Sequence, residues 1–151
     1  MNIQPLLNSF FEAYPSLKIC ALHNSDTDNF EQSIKELKEW LKQECNGELK
    51  LISKAQNCKN DEISIRAGDF EYVVIFDILS ICDDRLKLLQ KCHKSLETVS
   101  NIMVISDKSN SLSLSDIKAL LDEADFVAIG DIDIDQKYHI ITAKKLYSWG
   151  K

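Results

Sequence analysis

Two strand-like segments close this chain, and there is no room for a helix between them. Residues 126–134 and 138–146 are both rich in β-branched and aromatic side chains, and the connection that joins them is short. Parallel neighbours need a crossover of a dozen or more residues, so the pair is predicted to be an antiparallel hairpin. The hairpin distinguishes this chain from α/β sheets that end on a helix.

The rest of the chain alternates between strand-like and helix-like segments. Apolar runs at residues 17–22, 49–53, 70–79 and 102–105 predict strands, and apolar residues at helical spacing over 28–45, 83–99 and 113–124 predict helices. Ile63 and Ile65 are interpreted as a further short strand. The unbroken apolar centre of residues 70–79 indicates burial on both faces of a sheet. The predicted fold is therefore α/β: a three-layer, doubly wound, mostly parallel sheet with a C-terminal antiparallel hairpin.

The first sixteen residues carry a helical pattern of their own. Apolar side chains recur between residues 3 and 14 at helical spacing, and Pro15 would end such a helix. We predict an N-terminal helix over residues 1–16, packed on an α/β domain of residues 17–151. A length of 151 residues fits a single domain overall.

Composition narrows the classes of partner and site. The net charge of −6 and pI near 5.0 disfavour nucleic acid, and no apolar run approaches the roughly 20 residues of a membrane span. The five cysteines are odd in number and form no Cys-x-x-Cys pair, so neither disulfides nor a zinc site is predicted. Reduced thiols favour a cytoplasmic protein. No metal site is expected.

Four segments together resemble a known family. Residues 70–79 look like the fourth strand of class I S-adenosylmethionine-dependent methyltransferases, and residues 83–96 resemble the helix that follows it. Residues 101–106 and 138–145 are similar to the fifth and last strands of that family. The resemblance covers residues 17–147 and implies a Rossmann-like, methyltransferase-type sheet. In such sheets a ligand lies beyond the carboxyl ends of the strands, where the strand order switches.

The resemblance also marks the positions that would touch the cofactor, S-adenosylmethionine. His23, Asn24, Ser25 and Asp26 begin the loop after the first strand, while Asp77 and Ile78 follow the central one. The family's loop is rich in glycine, which lets backbone approach the cofactor, but residues 23–28 contain no glycine. Lys54 stands where the family commonly has an acidic residue that binds the ribose. We therefore expect weakened or lost cofactor binding.

Three functions remain open from the sequence. The first is a methyltransferase-like domain that acts as a binding or assembly module for a small molecule or protein. The second is an active methyltransferase with a divergent cofactor loop, for which no catalytic residue is assigned. The third is a receiver-like signalling domain in which Asp77 would accept a phosphoryl group.

Other candidate residues carry weaker signals. Cys20 and His23 flank the end of the first strand and could form a nucleophile–base pair. Asp131, Asp133 and Asp135 alternate with isoleucines and are interpreted as a solvated strand face rather than a cation site. The aromatic residues of the C-terminal tail are interpreted as docking on the domain's own surface, and the alternative is that the aromatic residues near both termini form an apolar patch for a homodimer. They are Phe10, Phe11, Tyr14, Tyr147 and Trp149.

Overall fold

The computed structural model describes residues 1–53 and 68–146, and a single mixed sheet lies at its centre. The strands are β1 (Lys18–His23), β2 (Glu48–Ser53), β3 (Phe70–Phe76), β4 (Leu96–Asp107), β5 (Val127–Asp131) and β6 (Tyr138–Lys145). Among these residues the strand order is β2-β1-β3-β4-β6-β5. The first four strands run parallel, whereas β6 is antiparallel to both β4 and β5. The predicted parallel sheet and its closing antiparallel hairpin are confirmed.

Helices cover both faces of this sheet. They are α1 (Glu31–Trp40), which continues through a π-helical turn at Leu41–Cys45, α2 (Arg85–Ser95) and α3 (Leu114–Glu123). The hydroxyl of Ser113 accepts a hydrogen bond from the backbone N–H of Asp116, and the Asp116 carboxylate accepts one from the Ser113 N–H, so α3 begins with a capping box. Within the described part of the chain, no helix is both long enough and apolar enough to cross a membrane.

Successive side chains along each strand point to opposite faces of the sheet, so the interior is divided into two cores. On β1, Cys20 and Leu22 face the core that is shared with α2 and α3, whereas Ile19 and Ala21 face the core under α1. All four side chains are fully buried. Opposite faces at successive positions follow from strand geometry, and burial on both sides accounts for the unbroken apolar runs in the sequence.

The N-terminal segment packs on the sheet but is not the helix that its spacing predicted. Helical geometry is limited to a short 3-10 helix at Gln4–Leu6. Asn8 has a φ of 69°, a left-handed conformation that cannot continue a right-handed helix. Ile3, Leu6 and Phe11 are nonetheless buried in the α1-side core. The helical prediction was therefore wrong in its extent, because an irregular segment buries the same side chains. The predicted strand at Ile63 and Ile65 lies outside the described residues.

The turn between α1 and β2 brings the backbone close to the start of β1. Asn46 takes the left-handed conformation with a φ of 47° that ends the helical segment. At Gly47, an added Cβ would lie 2.4 Å from the carbonyl oxygen of Leu17. Glycine is required here for close approach, because any side chain would collide with that carbonyl.

The order of the strands fixes where a ligand would be expected. β2 lies on one side of β1 and β3 lies on the other, so the strand order reverses between β1 and β3. We call the region beyond the carboxyl ends of these two strands the crossover. His23 ends β1 at the crossover, and Asp77 directly follows β3. Open α/β sheets bind their ligands at such a switch point.

Candidate functional site

The loop that follows β1 lines a cavity of about 620 Å³. This volume lies within the range of 300–1,000 Å³ that is usual for small-molecule sites. The apolar wall comes from α1 and β2, and carboxylates lie in the loop and in the first turn of α1. The described lining residues are His23, Asn24, Ser25, Asp26, Thr27, Asp28, Phe30, Glu31, Ile34 and Leu51. The structure thus brings His23, Asn24, Ser25 and Asp26 to one cavity.

The same loop is held by its own hydrogen bonds. The side-chain oxygen of Asn24 accepts a hydrogen bond from the backbone N–H of Asp26 at 3.0 Å. The Asn24 carbonyl accepts from the backbone N–H of Thr27 at 3.3 Å. These two N–H groups are therefore used within the loop, and every position from 23 to 28 carries a Cβ. A ligand would meet side chains here rather than bare backbone.

Cys20 and His23 do not form a nucleophile–base pair. Residues three apart on a strand point to opposite faces, and Cys20 lies in the core shared with α2 and α3. Burial raises the pKa of the Cys20 thiol to about 12, which keeps it protonated and unreactive. Partial burial lowers the pKa of His23 below its ordinary value of 6.5, so the ring is neutral at pH 7.

Asp77 points its carboxylate towards β4. Its Oδ1 accepts a hydrogen bond from the backbone N–H of Asp107 at 3.0 Å and lies 3.4 Å from the Nδ2 donor of Asn110. Burial raises the pKa of Asp77, and the N–H of Asp107 opposes that rise. Asp77 is not among the residues that line the 620 Å³ cavity, and the neighbouring Ile78 side chain is fully buried. The six predicted cofactor positions therefore fall into two separate places.

Three aromatic rings that sequence reasoning missed lie beside the crossover. The ring of Phe30, just before α1, is 5.3 Å from that of Phe76 and 5.1 Å from that of Tyr138. All three residues are buried. Phe76 ends β3 and Tyr138 begins β6, so the rings fill the sheet face under the carboxyl ends. The position of Phe76 directly before Asp77 is the signal that could have indicated this cluster.

Two of the three aspartates near the closing hairpin have structural partners. Asp131 forms a 2.6 Å ion pair with Lys118, and the Asp135 carboxylate accepts from the backbone N–H groups of Lys137 and Tyr138. Asp133 is exposed. Within residues 1–53 and 68–146 no group of three His, Cys, Asp or Glu side chains could hold a metal ion.

The aromatic residues near the N-terminus pack mainly on their own domain. Phe11 is fully buried, and its ring contacts those of Phe10, Trp40 and Tyr72. Tyr14 is the exposed member, with half of its surface open to solvent. A homodimer stays a prediction, and it cannot depend on Phe11. Tyr147 and Trp149 lie outside the described residues.

Solved structures of methyltransferases share this fold. A S-adenosylmethionine-dependent methyltransferase from Aquifex aeolicus matches with a TM-score of 0.74 and 9% identity, over 96% of this chain and 90% of that one. A methyltransferase from Mesorhizobium loti matches with a TM-score of 0.65 and 10% identity, over 95% of this chain and 97% of that one. A third match is phosphoethanolamine N-methyltransferase 2 from Haemonchus contortus, solved in complex with phosphomonomethylethanolamine and S-adenosylhomocysteine. Its TM-score is 0.70 and its identity is 9%, over 95% of this chain.

This chain spans only 52% of the Haemonchus enzyme. No protein-family model matches the sequence, and no curated protein matches it. The fold is the Rossmann-like fold of these methyltransferases. The cofactor that the fold implies is S-adenosylmethionine. The described residues do not fit it in the expected way, because the loop after β1 lacks glycine and Asp77 is bonded to β4. Lys54 lies outside the described residues.

Proposed function

We propose that this methyltransferase-like domain does not hold S-adenosylmethionine in the way usual for its fold and acts as a binding or assembly module. The observation that carries the proposal is the closed loop at residues 23–28. Its N–H groups at Asp26 and Thr27 bond within the loop, and its Cβ atoms occupy the space that glycines would leave open.

The packing beneath the crossover supports the same conclusion. The rings of Phe30, Phe76 and Tyr138 are buried against one another, so this part of the sheet face is filled by side chains. Protein interiors are packed at crystal-like density, and moving a buried ring aside would cost several kcal/mol. An adenosyl group would therefore have to lie outside this aromatic cluster, on the solvent side of the loop at residues 23–28.

The second function, an active methyltransferase with a divergent loop, is favoured by the 620 Å³ cavity at this position. Methyl transfer depends on placing the nucleophile in line with the methyl group rather than on acid–base chemistry. A missing nucleophile–base pair thus does not argue against it. The receiver-like alternative is the weakest, because Asp77 bonds to β4 and an antiparallel hairpin closes the sheet.

Isothermal titration calorimetry with S-adenosylmethionine and S-adenosylhomocysteine tests the proposal. We expect no saturable heat for either ligand, while a S-adenosylmethionine-binding methyltransferase run in parallel gives a normal isotherm. Micromolar binding would overturn the proposal and favour the active enzyme. In that case the titration is repeated with Ile34→Trp, a variant that places a large ring on the wall of the 620 Å³ cavity. Loss of binding in that variant would locate the ligand in the 620 Å³ cavity.

A further inference from the structure

A cavity of about 1390 Å³ lies at the edge of the sheet opposite to the crossover, where the parallel strands begin. It is bounded by one side of α2, the start of β4, the connection from α3 to β5 and the end of β6. Its apolar wall consists of Leu96, Ala124, Phe126, Val127 and Leu146. None of its described lining residues also lines the 620 Å³ cavity, so the proposed function does not account for it.

One side chain of this cavity carries a buried positive charge. Lys145 lies at the end of β6, is 3% exposed and lines the cavity. Its ammonium nitrogen, Nζ, donates hydrogen bonds to the carbonyl oxygens of His93 and Leu96 at 2.8 and 2.7 Å. These carbonyls belong to the last turn of α2 and to the residue that ends it, so the two bonds hold the amine in a fixed place at the end of that helix.

The charge of Lys145 lacks a compensating carboxylate. Within residues 1–53 and 68–146 no carboxylate forms an ion pair with it. An ammonium group has three N–H donors, and the two carbonyls use two of them. A buried charge is costly unless an opposite charge compensates it, and burial correspondingly lowers the pKa of Lys145 below its ordinary value of 10.5. An anion in the cavity would supply both an opposite charge and a third acceptor.

Three further lysines and three carboxylates line the same cavity. They are Lys87, Lys91, Lys94, Glu97, Asp122 and Asp125. All of them except the partly buried Lys91 are exposed, so water and salt screen their charges. The formal charges of these six side chains cancel, which leaves the buried Lys145 as the excess positive charge of the cavity.

The wall beside Lys145 presents apolar surface that is open to solvent. Val127 is 38% exposed and Leu146 is 37% exposed. Leu146 directly follows Lys145 in the chain, and Val127 pairs with Lys144 in the sheet, so both lie next to the strand end that carries the amine. Exposed apolar surface in a cavity is typical of a binding site, because a ligand that covers it removes it from water. A ligand with one anionic end and an apolar chain matches both features.

We propose that the 1390 Å³ cavity binds a monomeric carboxylate with a long aliphatic chain, with the carboxylate at Nζ of Lys145 and the chain against Val127 and Leu146. A carboxylate fits better than a neutral head group, because it compensates the buried charge and accepts a charge-assisted hydrogen bond. The volume exceeds the usual 300–1,000 Å³ of small-molecule sites, which suits a long chain. The site is separate from the crossover, so the inference holds whether or not S-adenosylmethionine binds there.

Two-dimensional NMR of ¹⁵N-labelled protein, titrated with dodecanoate below its micelle concentration, tests this inference. We expect saturable shifts at the amides of residues 94–98 and 124–127. Dodecyltrimethylammonium has the same chain with the opposite charge, and acetate has the carboxylate without the chain. Each of these controls should bind at least about ten-fold more weakly, because it lacks one of the two contacts. Absence of saturable dodecanoate binding, or equal affinity for the ammonium compound, would overturn the proposal.

A pair of neighbouring lysines locates the head group. Lys144 precedes Lys145 on β6, points to the other face of the sheet and does not line the cavity. We expect Lys145→Met to weaken dodecanoate binding at least about ten-fold, and Lys144→Met to leave it unchanged. Circular dichroism checks that both variants fold. Lys145→Gln, which keeps a donor for the carbonyls, replaces Lys145→Met if that variant does not. Undiminished binding by a folded Lys145 variant would contradict the proposal.

A pair of valines locates the aliphatic chain. Val127 lines the cavity, whereas Val99 is 61% exposed and does not line it. Because both side chains reach solvent, a glutamate at either position is compatible with the fold. Val127→Glu places a carboxylate beside the ligand and should weaken dodecanoate binding several-fold, whereas Val99→Glu should not. An equal affinity of the two valine variants for dodecanoate would count against the site.

Discussion

The carboxylate of Asp77 accepts a hydrogen bond from the backbone N–H of Asp107 at 3.0 Å. This bond joins the end of β3 to the end of β4. Asp77 also has a φ of 52°, a left-handed conformation that aspartate and asparagine tolerate better than most residues. The residue that the resemblance assigned to the cofactor thus has a structural role at the sheet edge.

Asp77→Ala should destabilise the domain by about 1–3 kcal/mol, because the Asp107 N–H would lose its acceptor in a half-buried position. Asp77→Asn should cost much less, since its amide oxygen can still accept this bond and asparagine tolerates the backbone conformation. Urea unfolding at pH 7 measures both. Equal losses for the two variants would show that the hydrogen bond contributes little.

The same carboxylate should affect the pH dependence of stability. Burial raises the pKa of Asp77 in the folded state above the ordinary 3.8 of the unfolded chain. At pH values between the unfolded-state pKa and the folded-state pKa, the folded state therefore binds more protons than the unfolded state. The contribution of Asp77 to the free energy of unfolding therefore falls as pH increases through that window. The Asp77→Asn variant should lose this component, which is measured by comparing urea unfolding of both proteins from pH 3.5 to 6. Parallel pH profiles would contradict the assignment.

His23 should have the opposite effect on the pH dependence of stability, just below neutral pH. Its pKa is lowered by burial, so the unfolded state binds more protons than the folded state at pH values up to about the ordinary 6.5. Stability then rises with pH through that window and falls on acidification. His23→Gln should lose less stability than the wild type between pH 7 and pH 5 in urea titrations. A larger loss of stability in acid for the variant would be inconsistent with a partly buried, neutral His23 ring.

Gly47 should tolerate no side chain. An alanine Cβ would lie 2.4 Å from the Leu17 carbonyl oxygen, and the required backbone shift should cost about 1–3 kcal/mol. Gly130→Ala is the matched control, because nothing lies within 4 Å of its added Cβ. Thermal and urea unfolding of both variants measure the difference. Similar stabilities would show that the turn relaxes without strain.

The aromatic cluster should account for much of the stability near the crossover. Phe30→Ala removes a ring that packs on Phe76 and Tyr138, and such truncations typically cost 3–5 kcal/mol. Leu51→Ala, at a side chain that is 46% exposed, should change stability by no more than about 0.5 kcal/mol. A Phe30→Ala cost as small as that of Leu51→Ala would mean that the rings do not fill this face.

The sheet could be predicted from the sequence because strands buried on both faces appear as unbroken runs of apolar residues. The run around Val73 and Val74 is apolar at every position since both faces of β3 are covered. The short connection before Tyr138 left no room for a crossover, so the hairpin followed from length alone. Helical spacing at residues 3–14 failed as a predictor, because it records which side chains are buried and not the backbone that carries them.

The candidate site was less predictable because it depends on side-chain directions between distant strands. Adjacent positions such as Asp77 and Ile78 were expected to act together, but the first bonds to β4 and the second lies in the core. The Phe30 cluster joins three segments that are far apart in the chain. No local pattern records such packing, although the absence of glycine from residues 23–28 was visible directly.

Titration of ¹⁵N-labelled protein with S-adenosylmethionine, followed by two-dimensional NMR, tests directly whether the crossover holds the cofactor. We expect that the amide signals of residues 23–28 and of Asp77 do not shift at ligand concentrations up to the millimolar range. Shifts at these amides that saturate at micromolar ligand would contradict this expectation, because they would place the cofactor at the crossover despite the closed loop.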